Sequence, residues 1–422
     1  MDKYDVIVIG AGASGLIAAG GASQLGAKVL LIEKMERAGR KLLITGKGRC
    51  NITNDASYSE FFKHIYPHGR FLKHAFSVFF THDIVDLLAS QGLKTTVERG
   101  GRIFPESNQS ADVVNALLKW LHKHPVDIRL GGRVQKLIVR NAAISGVEMV
   151  LNGKKEEITA NCVIICTGGS SYPATGSSGD GYALAKSAGH TIETIRPALV
   201  PLETEGNLAA RLQGLSLKNV NAVIWVNGKK QKEEFGEMLF THFGLSGPII
   251  LTLSRFVVDE LQKTNRVELS IDLKPALDDQ KLDARLLRDL KEHGKKQIEN
   301  IFKSWLPGKL VPAFLDVLKI DGSREGHQMT TAERKKTRLL MKDFRFRATG
   351  YRSFKEAIIT AGGVPTDEID SKTMESKLVK NLYFAGEVID LDADTGGYNL
   401  QIAFSTGWLA GQSAAGKKTK NP

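Results

Sequence analysis

Three glycines, Gly10, Gly12 and Gly15, follow a short apolar run, and an acid, Glu33, closes a second apolar run 21 residues after Gly12. Each glycine in this spacing has its own task. The first permits a tight turn, the second lets backbone approach a pyrophosphate, and the third lets helix and strand pack closely. With Ala13 and Ser14 between them, they open a helix whose unpaired N–H groups present partial positive charge to a phosphate. Glu33, followed by Lys34, sits where a carboxylate accepts hydrogen bonds from both hydroxyls of an adenosine ribose. The expected chemistry is dinucleotide binding. Glycines serving packing alone are the plainer alternative, and the strand, helix and terminal acid together argue against it.

Further segments narrow the dinucleotide to FAD. Gly39, Arg40 and Lys41 begin a glycine-rich basic stretch that continues through Gly48, Arg49, Cys50 and Asn51. Coming just after the ribose acid, it can line phosphates and the edge of an isoalloxazine ring. A strand ending at Cys166 runs into Thr167, Gly168 and Gly169, a second glycine turn expected beside the first. Near the C-terminus a strand leads into Gly386 and Glu387, whose carboxylate is suited to ribityl hydroxyls. Gly396 and Gly397 then open a helix at Tyr398, Asn399, Leu400 and Gln401. Its N–H groups can face the flavin pyrimidine and stabilise charge that develops there on reduction. Val134 completes the candidate cofactor contacts. No second glycine triplet follows a strand, so a reducing NAD(P)H is expected to dock transiently over the ring.

A flavin delivers hydride itself, leaving the protein to place the substrate and move a proton. Candidates for that proton are His242 in a glycine-containing turn, Tyr398 at the flavin-facing helix start, and Tyr172 in the second glycine run. A structural histidine, and tyrosines that only pack over a cofactor, are the plainer readings. Cys50 can stack or act in redox chemistry, but no CxxC partner accompanies it. Cys162 and Cys166 read as core residues, and Pro67 interrupts the pair His64 and His68, so no metal site is expected.

Particular elements must carry these residues. A strand at 4–9, a small-residue helix to about 26 and a strand at 28–33 make a βαβ opening. Helical apolar spacing recurs at 84–91 and 111–122, the second with Ser110 as N-cap candidate. Strands are expected at 126–130, 134–140, 144–151 and 161–166, and a hairpin turns at Asn227-Gly228. Another strand follows at 266–273, then helices over 278–341 broken near Pro307, Pro312 and Gly322. Strand or helix-edge character returns at 344–348 and 353–360, a last strand lies at 382–385, a last helix at 398–410, and 417–422 form a polar tail. The expected organisation is a discontinuous nucleotide domain (1–195 and 357–422), a β-rich substrate insert (196–274 and 343–356) and a basic helical insert (275–342).

Charge is unevenly distributed. Between Lys281 and Lys355 there are 19 Lys and Arg against 9 Asp and Glu, which accounts for most of the formal +12 of the 422-residue chain. A concentrated positive region is a footprint for a polyanion. Arg334-Lys335-Lys336 and Arg345-Phe346-Arg347 set cations around an aromatic, as recognition of ribosomal RNA would use. A solvated helical surface is the plainer reading. Three cysteines fit a reducing compartment, and the uncharged stretch 6–27 holds six glycines, too polar for lipid. Residues 1–5 lack the positive start of a signal peptide, so a cytoplasmic protein with no membrane partner is expected.

Residues 39–54, 168–181 with the run Ser-Ser-Tyr-Pro-Ala-Thr-Gly, 240–248 and 396–401 resemble, in this order, the bacterial YhiN/BaiN-type flavoprotein family. The likeness spans nearly the whole chain. It implies an α/β fold: a Rossmann-like, glutathione-reductase-like FAD-binding domain interrupted by a β-barrel-like insert and a small helical insert. It carries FAD contacts to the glycines, acids and basic residues named above, with Glu387 where many two-dinucleotide flavoenzymes have Asp. The family includes an aminoacetone oxidase, a reductase of unsaturated oxo-bile acids and a dihydrouridine synthase of large-subunit ribosomal RNA. The resemblance therefore settles the cofactor and leaves the substrate open. The function expected is an FAD-dependent oxidoreductase, an NAD(P)H-supplied reductase of a conjugated C=C bond with a ribosomal uridine as candidate substrate. Turnover of a small amine, enone or sterol is one alternative; an RNA-associated protein with structural FAD is another.

Overall fold

The computed structural model describes residues 3–416, and the polar tail expected at 417–422 lies outside them. The chain divides into two compact units, Met1–Pro197 with Ala357–Pro422, and Ala198–Glu356.

In the first unit, a seven-stranded sheet is built around Lys3–Ile9. This strand pairs in parallel with Val29–Glu33 on one side and Lys154–Ile165 on the other. Val29–Glu33 pairs in turn with Val126–Leu130. Lys154–Ile165 changes partner along its length. Its first half pairs antiparallel with Ala143–Leu151, and Val163, Ile164 and Ile165 pair in parallel with Leu382–Phe384. Arg133–Arg140 completes the edge. The central strands are apolar without alternation because they are buried on both faces.

Small residues let the helices approach. A Cβ on Gly407, in the helix Tyr398–Gly416, would stand 2.3 Å from the Ser14 carbonyl oxygen in the helix Ala13–Gln24. On the other flank a Cβ on Gly20 would strike the Trp120 ring at 2.1 Å, in the helix Ser110–Leu121. The N-cap of that helix is Gln109, not Ser110. Ser110 is its first helical residue, and its hydroxyl donates to the Leu43 carbonyl at 2.6 Å.

The second unit contains a closed six-stranded barrel. Ser216–Val226 and Lys229–Phe240 form its long hairpin, turning at Asn227 and Gly228 with φ of 48° and 79°. Helices Pro248–Gln262, Asp279–Glu292, Ile298–Trp305, Leu310–Leu318 and Thr331–Lys342 surround it, sharing one apolar core with the barrel interior. Pro312 does not break its helix: it sits in the first turn, where no intrahelical N–H bond is lost. Phe346, read as a surface aromatic among arginines, points into the barrel and is 3% exposed, so it offers no stacking surface. Of the stretch 353–360, only its end joins a strand, Ile359–Ala361. Among the described residues, no helix is long and apolar enough to cross a membrane.

Candidate cofactor and active site

Gly10 adopts φ +100°, and a Cβ on it would lie 2.6 Å from the Cys166 carbonyl oxygen, so the two glycine turns touch. A Cβ on Gly15 would fall 1.8 Å from the Gly10 oxygen. Gly12 is different. Its φ is −84°, and nothing lies within 4 Å of a Cβ built there. Neither conformation nor packing demands glycine at this position; open space above a helix N-terminus is what a close-lying pyrophosphate requires. The helix has no side-chain cap and no acid in its first turn. Ala13 is half-buried there and Ser14 buried. At the end of the second strand, Glu33 accepts N–H bonds from Ala11 at 2.8 Å and Met35 at 2.9 Å, which fixes the carboxylate and leaves lone pairs for a ribose. Lys34 turns instead to Asp180 at 2.7 Å and to the Ser178 hydroxyl. Val134 is buried in the sheet.

Beyond Gly39 the helix Arg40–Ile44 presents two cations. Lys41 Nζ donates to Glu387 Oε2 at 2.7 Å and to the Ser171 hydroxyl at 2.6 Å. Glu387 Oε1 accepts from Ser171 Oγ at 2.9 Å and the Thr360 N–H at 2.8 Å. Glu387 therefore ties separate segments together. Gly169 lies against it, with a Cβ 2.7 Å from Oε1, next to half-buried Thr167 and Gly168. Arg40 is half-buried and its side chain has no partner among the described residues. Asn51 Oδ1 is buried with no hydrogen-bond partner. An unsatisfied amide oxygen and an unpaired guanidinium beside open glycine turns fit an FAD phosphate and polar edge. Gly48 is open on its Cα side. Arg49 stacks on Phe104 at 4.1 Å and pairs with Glu98 and Asn108. Cys50 is fully buried, and burial pushes its thiol up to about 11 against a weaker Thr45 hydrogen bond. A neutral, enclosed thiol argues against redox chemistry there.

The C-terminal strand and helix close this unit onto its beginning. A Cβ on Gly386 would stand 2.6 Å from Ser14 Oγ, and one on Gly397 would stand 2.4 Å from the Thr53 carbonyl. Asn54 Nδ2 donates to the Gly396 carbonyl at 3.0 Å. The Asn399 amide staples Ala393, accepting its N–H at 2.9 Å and donating to its carbonyl at 2.7 Å. Gln401 is fully buried, accepting from Thr53 at 2.7 Å and donating to Ser405 at 2.9 Å. These two amides build the helix start. What the start offers a ligand is backbone N–H, from Tyr398, Asn399 and Leu400.

Tyr398 is 6% exposed, stacked on His64 with ring centroids 4.4 Å apart and edge-on to Phe61 at 4.8 Å. Its hydroxyl has no hydrogen bond among the described residues. Burial pushes the phenol upward, aided by the Glu60 and Asp394 carboxylates, so it holds its proton at neutral pH. His64 Nδ1 lies 2.9 Å from Asp394 Oδ2. Sequence reading weighed this histidine only as half of a metal pair with His68, since its carboxylate is 330 positions away. Tyr172 is half-buried with φ 51°, its carbonyl accepting from Thr175. His242, in the other unit, is exposed at the tip of a turn closed by the Thr241 N–H donating to the Gly244 carbonyl at 2.8 Å. Its ring meets Phe243 edge-on at 4.9 Å. In the basic stretch, Arg334 pairs with Asp283 at 3.1 Å and Arg338 with Asp279 at 3.0 Å. Lys335 and Lys336 are exposed with no ion pair among the described residues.

A family model described as the HI0933-like protein Rossmann domain matches residues 4–413. The 3-dehydro-bile acid delta(4,6)-reductase of Clostridium scindens is 32% identical over 413 residues, covering 97% of this chain and 98% of that protein. The ribosomal RNA dihydrouridine synthase of Escherichia coli is 33% identical over 423 residues, covering 99% and 100%. Among solved structures, a 3-ketosteroid delta1-dehydrogenase from Sterolibacterium denitrificans superposes with TM-score 0.52 at 14% identity, over 99% of this chain and 100% of that one. That last likeness is one of fold.

Proposed function

The chain belongs to the HI0933-like family and is an FAD-binding oxidoreductase, and from that premise we propose that it reduces a C=C bond conjugated to a carbonyl, in a uridine of large-subunit ribosomal RNA. Two relatives of nearly equal similarity carry names with a shared chemistry. Dihydrouridine differs from uridine by two hydrogens across such a bond, and a delta(4,6)-reductase of a 3-dehydro compound saturates bonds conjugated to a ketone. The observation favouring RNA is the surplus of 19 cations over 9 acids between Lys281 and Lys355, which a bile acid does not call for.

The residues would share the work as follows. Gly12 and the first helix leave room for the pyrophosphate, Arg40 supplies a cation, Glu33 holds the ribose, and Asn51 Oδ1 accepts a hydrogen bond from the cofactor. Bound FAD supplies hydride at its isoalloxazine ring, recharged by NAD(P)H. Of the three candidate acids, Tyr398 combines a buried ring with an unpaired hydroxyl that stays protonated.

Anaerobic mixing with NADPH or NADH, followed by an oxidant, tests the reading. The expected result is bleaching of the flavin band, then its return on adding a uridine-containing ribosomal RNA fragment, with dihydrouridine detected by mass. Recovery with a 3-oxo-4-ene steroid but not with RNA overturns the RNA substrate and favours the small-enone reading that the bile-acid reductase supports. Recovery with dioxygen alone overturns C=C reduction.

A further inference from the structure

We propose that His64, held by Asp394, is a positioning residue that presents an imidazolium to the face of Tyr398 and so eases release of the Tyr398 hydroxyl proton. This rests on the reading of Tyr398 as the acid in C=C reduction. The geometry that carries it lies within one unit. The His64 and Tyr398 rings are 4.4 Å apart and inclined by only 19°, a stack rather than a hydrogen bond. The carboxylate of Asp394 orients the imidazole through Nδ1 at 2.9 Å, and the Asp394 N–H donates to the His64 carbonyl at 3.0 Å. Phe61 walls the phenol from a second side at 4.8 Å, and a Cβ on Gly396 would collide with its edge at 2.8 Å. The ring cannot swing away. Only its hydroxyl is left without a protein partner among the described residues, an uncommon state for so enclosed a tyrosine.

The charged groups around the imidazole are few. Asp394 faces it from the loop before the C-terminal helix, and Glu60, in the helix Tyr58–Lys63 that ends at His64, faces it at 3.5 Å. Lys63 is bound to Glu60 at 2.7 Å. The Asp394 hydrogen bond raises the imidazole above its ordinary value, with burial opposing and Glu60 assisting. The protonated form of His64 is thus favoured more than in a free imidazole.

The step balances as follows. The β carbon of the conjugated substrate receives hydride, its π bond breaks, and the α carbon takes the proton of Tyr398 Oη. Two C–H bonds form, while the C=C π bond, the donor bond that held the hydride on the bound flavin and the Tyr398 O–H bond break; the hydride carries its electron pair into the substrate and the O–H pair stays on oxygen. The phenolate left behind is stabilised by the imidazolium beneath it and regains its proton from water.

Two measurements on the FAD-loaded protein test this. An NMR titration of His64 should give a midpoint above 6.5, lowered in Asp394→Asn. A wild-type midpoint at or below 6.5 overturns the proposal whatever the turnover data say. In stopped flow near pH 6.5, His64→Gln should slow reoxidation of the reduced flavin by substrate at least about tenfold, while NADPH reduces it within about twofold of wild type. Wild-type reoxidation should fall as pH rises through the His64 midpoint, a limb absent from His64→Gln. His64→Gln added to Tyr398→Phe should cost nothing further; losses that multiply overturn the coupling. If neither RNA nor enone reoxidises the wild type, the functional reading fails, and the NMR titration decides on His64 alone.

Discussion

The ammonium of Lys41 lies 2.7 Å from Oε2 of Glu387, a partner 346 positions away in the chain. Their side chains are 22% and 19% exposed, so the pair is neither a screened surface contact nor a fully dry one. Ser171 Oγ and the Thr360 N–H donate to the other carboxylate oxygen, Oε1. Lys41→Met leaves that carboxylate without its cation. The expected cost is about 1–2 kcal/mol in urea unfolding, after allowing for exposure, with FAD affinity falling about tenfold. Lys41→Met combined with Glu387→Gln should cost less than the two single changes summed. Strict additivity shows that the two residues are not coupled.

Two glycine substitutions separate folding from cofactor binding. Gly12→Ala places a methyl in open space at an ordinary φ, so apoprotein stability should change by less than about 1 kcal/mol. FAD affinity should drop at least about tenfold, because the methyl fills the approach to the pyrophosphate. Gly407→Ala drives a methyl to 2.3 Å from the Ser14 carbonyl, and should destabilise the apoprotein by about 1–3 kcal/mol. Equal losses of apoprotein stability in both would remove the case for Gly12 as a ligand cradle.

Acid sensitivity should arise at His190. Its Nδ1 meets Glu368 at 2.7 Å and its Nε2 meets Ser376 at 2.8 Å. Ser376 Oγ already accepts N–H bonds from Leu378 and Val379, so its own hydrogen goes to Nε2 and the imidazole is neutral. Burial holds the imidazole below its ordinary value, with Glu368 opposing. The fold therefore disfavours the protonated form. This contribution is intact above pH 6.5 and is lost as pH falls toward the depressed folded value, since the unfolded chain takes up the proton first. Melting temperatures over about pH 8 to 5 should fall less steeply in His190→Gln than in wild type. Parallel curves would exonerate this histidine.

If the basic stretch binds RNA, its unpaired cations should dominate the ionic dependence. Lys335→Gln with Lys336→Gln should lower the slope of log affinity against log salt by about one to two. Arg334→Gln, which removes a cation already bonded to Asp283, should change the slope less and stability more. Filter binding across salt concentrations measures both, and an unchanged slope in the lysine variant takes these residues out of the interface.

Legibility followed distance along the chain. The first glycine turn and Glu33 are local, and spacing alone announced them. The alternating runs and the Asn227-Gly228 turn likewise announced a β-rich insert. Pro248–Gln262 was overlooked although Pro248, just after Gly247, opens an apolar face of Ile249, Ile250, Leu253 and Val257. Motif matching could name Asn399 and Gln401 but not the jobs of their amides, which bond to Ala393 and to Thr53 and Ser405. The pairs Lys41–Glu387 and His64–Asp394 join opposite ends of the sequence. No spacing rule reaches that far.

Gly386 and Gly407 press on Ser14, and Gly397 on Thr53, so segments translated later complete what earlier ones begin. A nascent chain leaving the ribosome carries its nucleotide turn unfinished until the closing helix has been translated. Colour thus reports completeness: a polypeptide stalled after the barrel should stay pale in excess FAD, and only one read through the final helix should turn yellow.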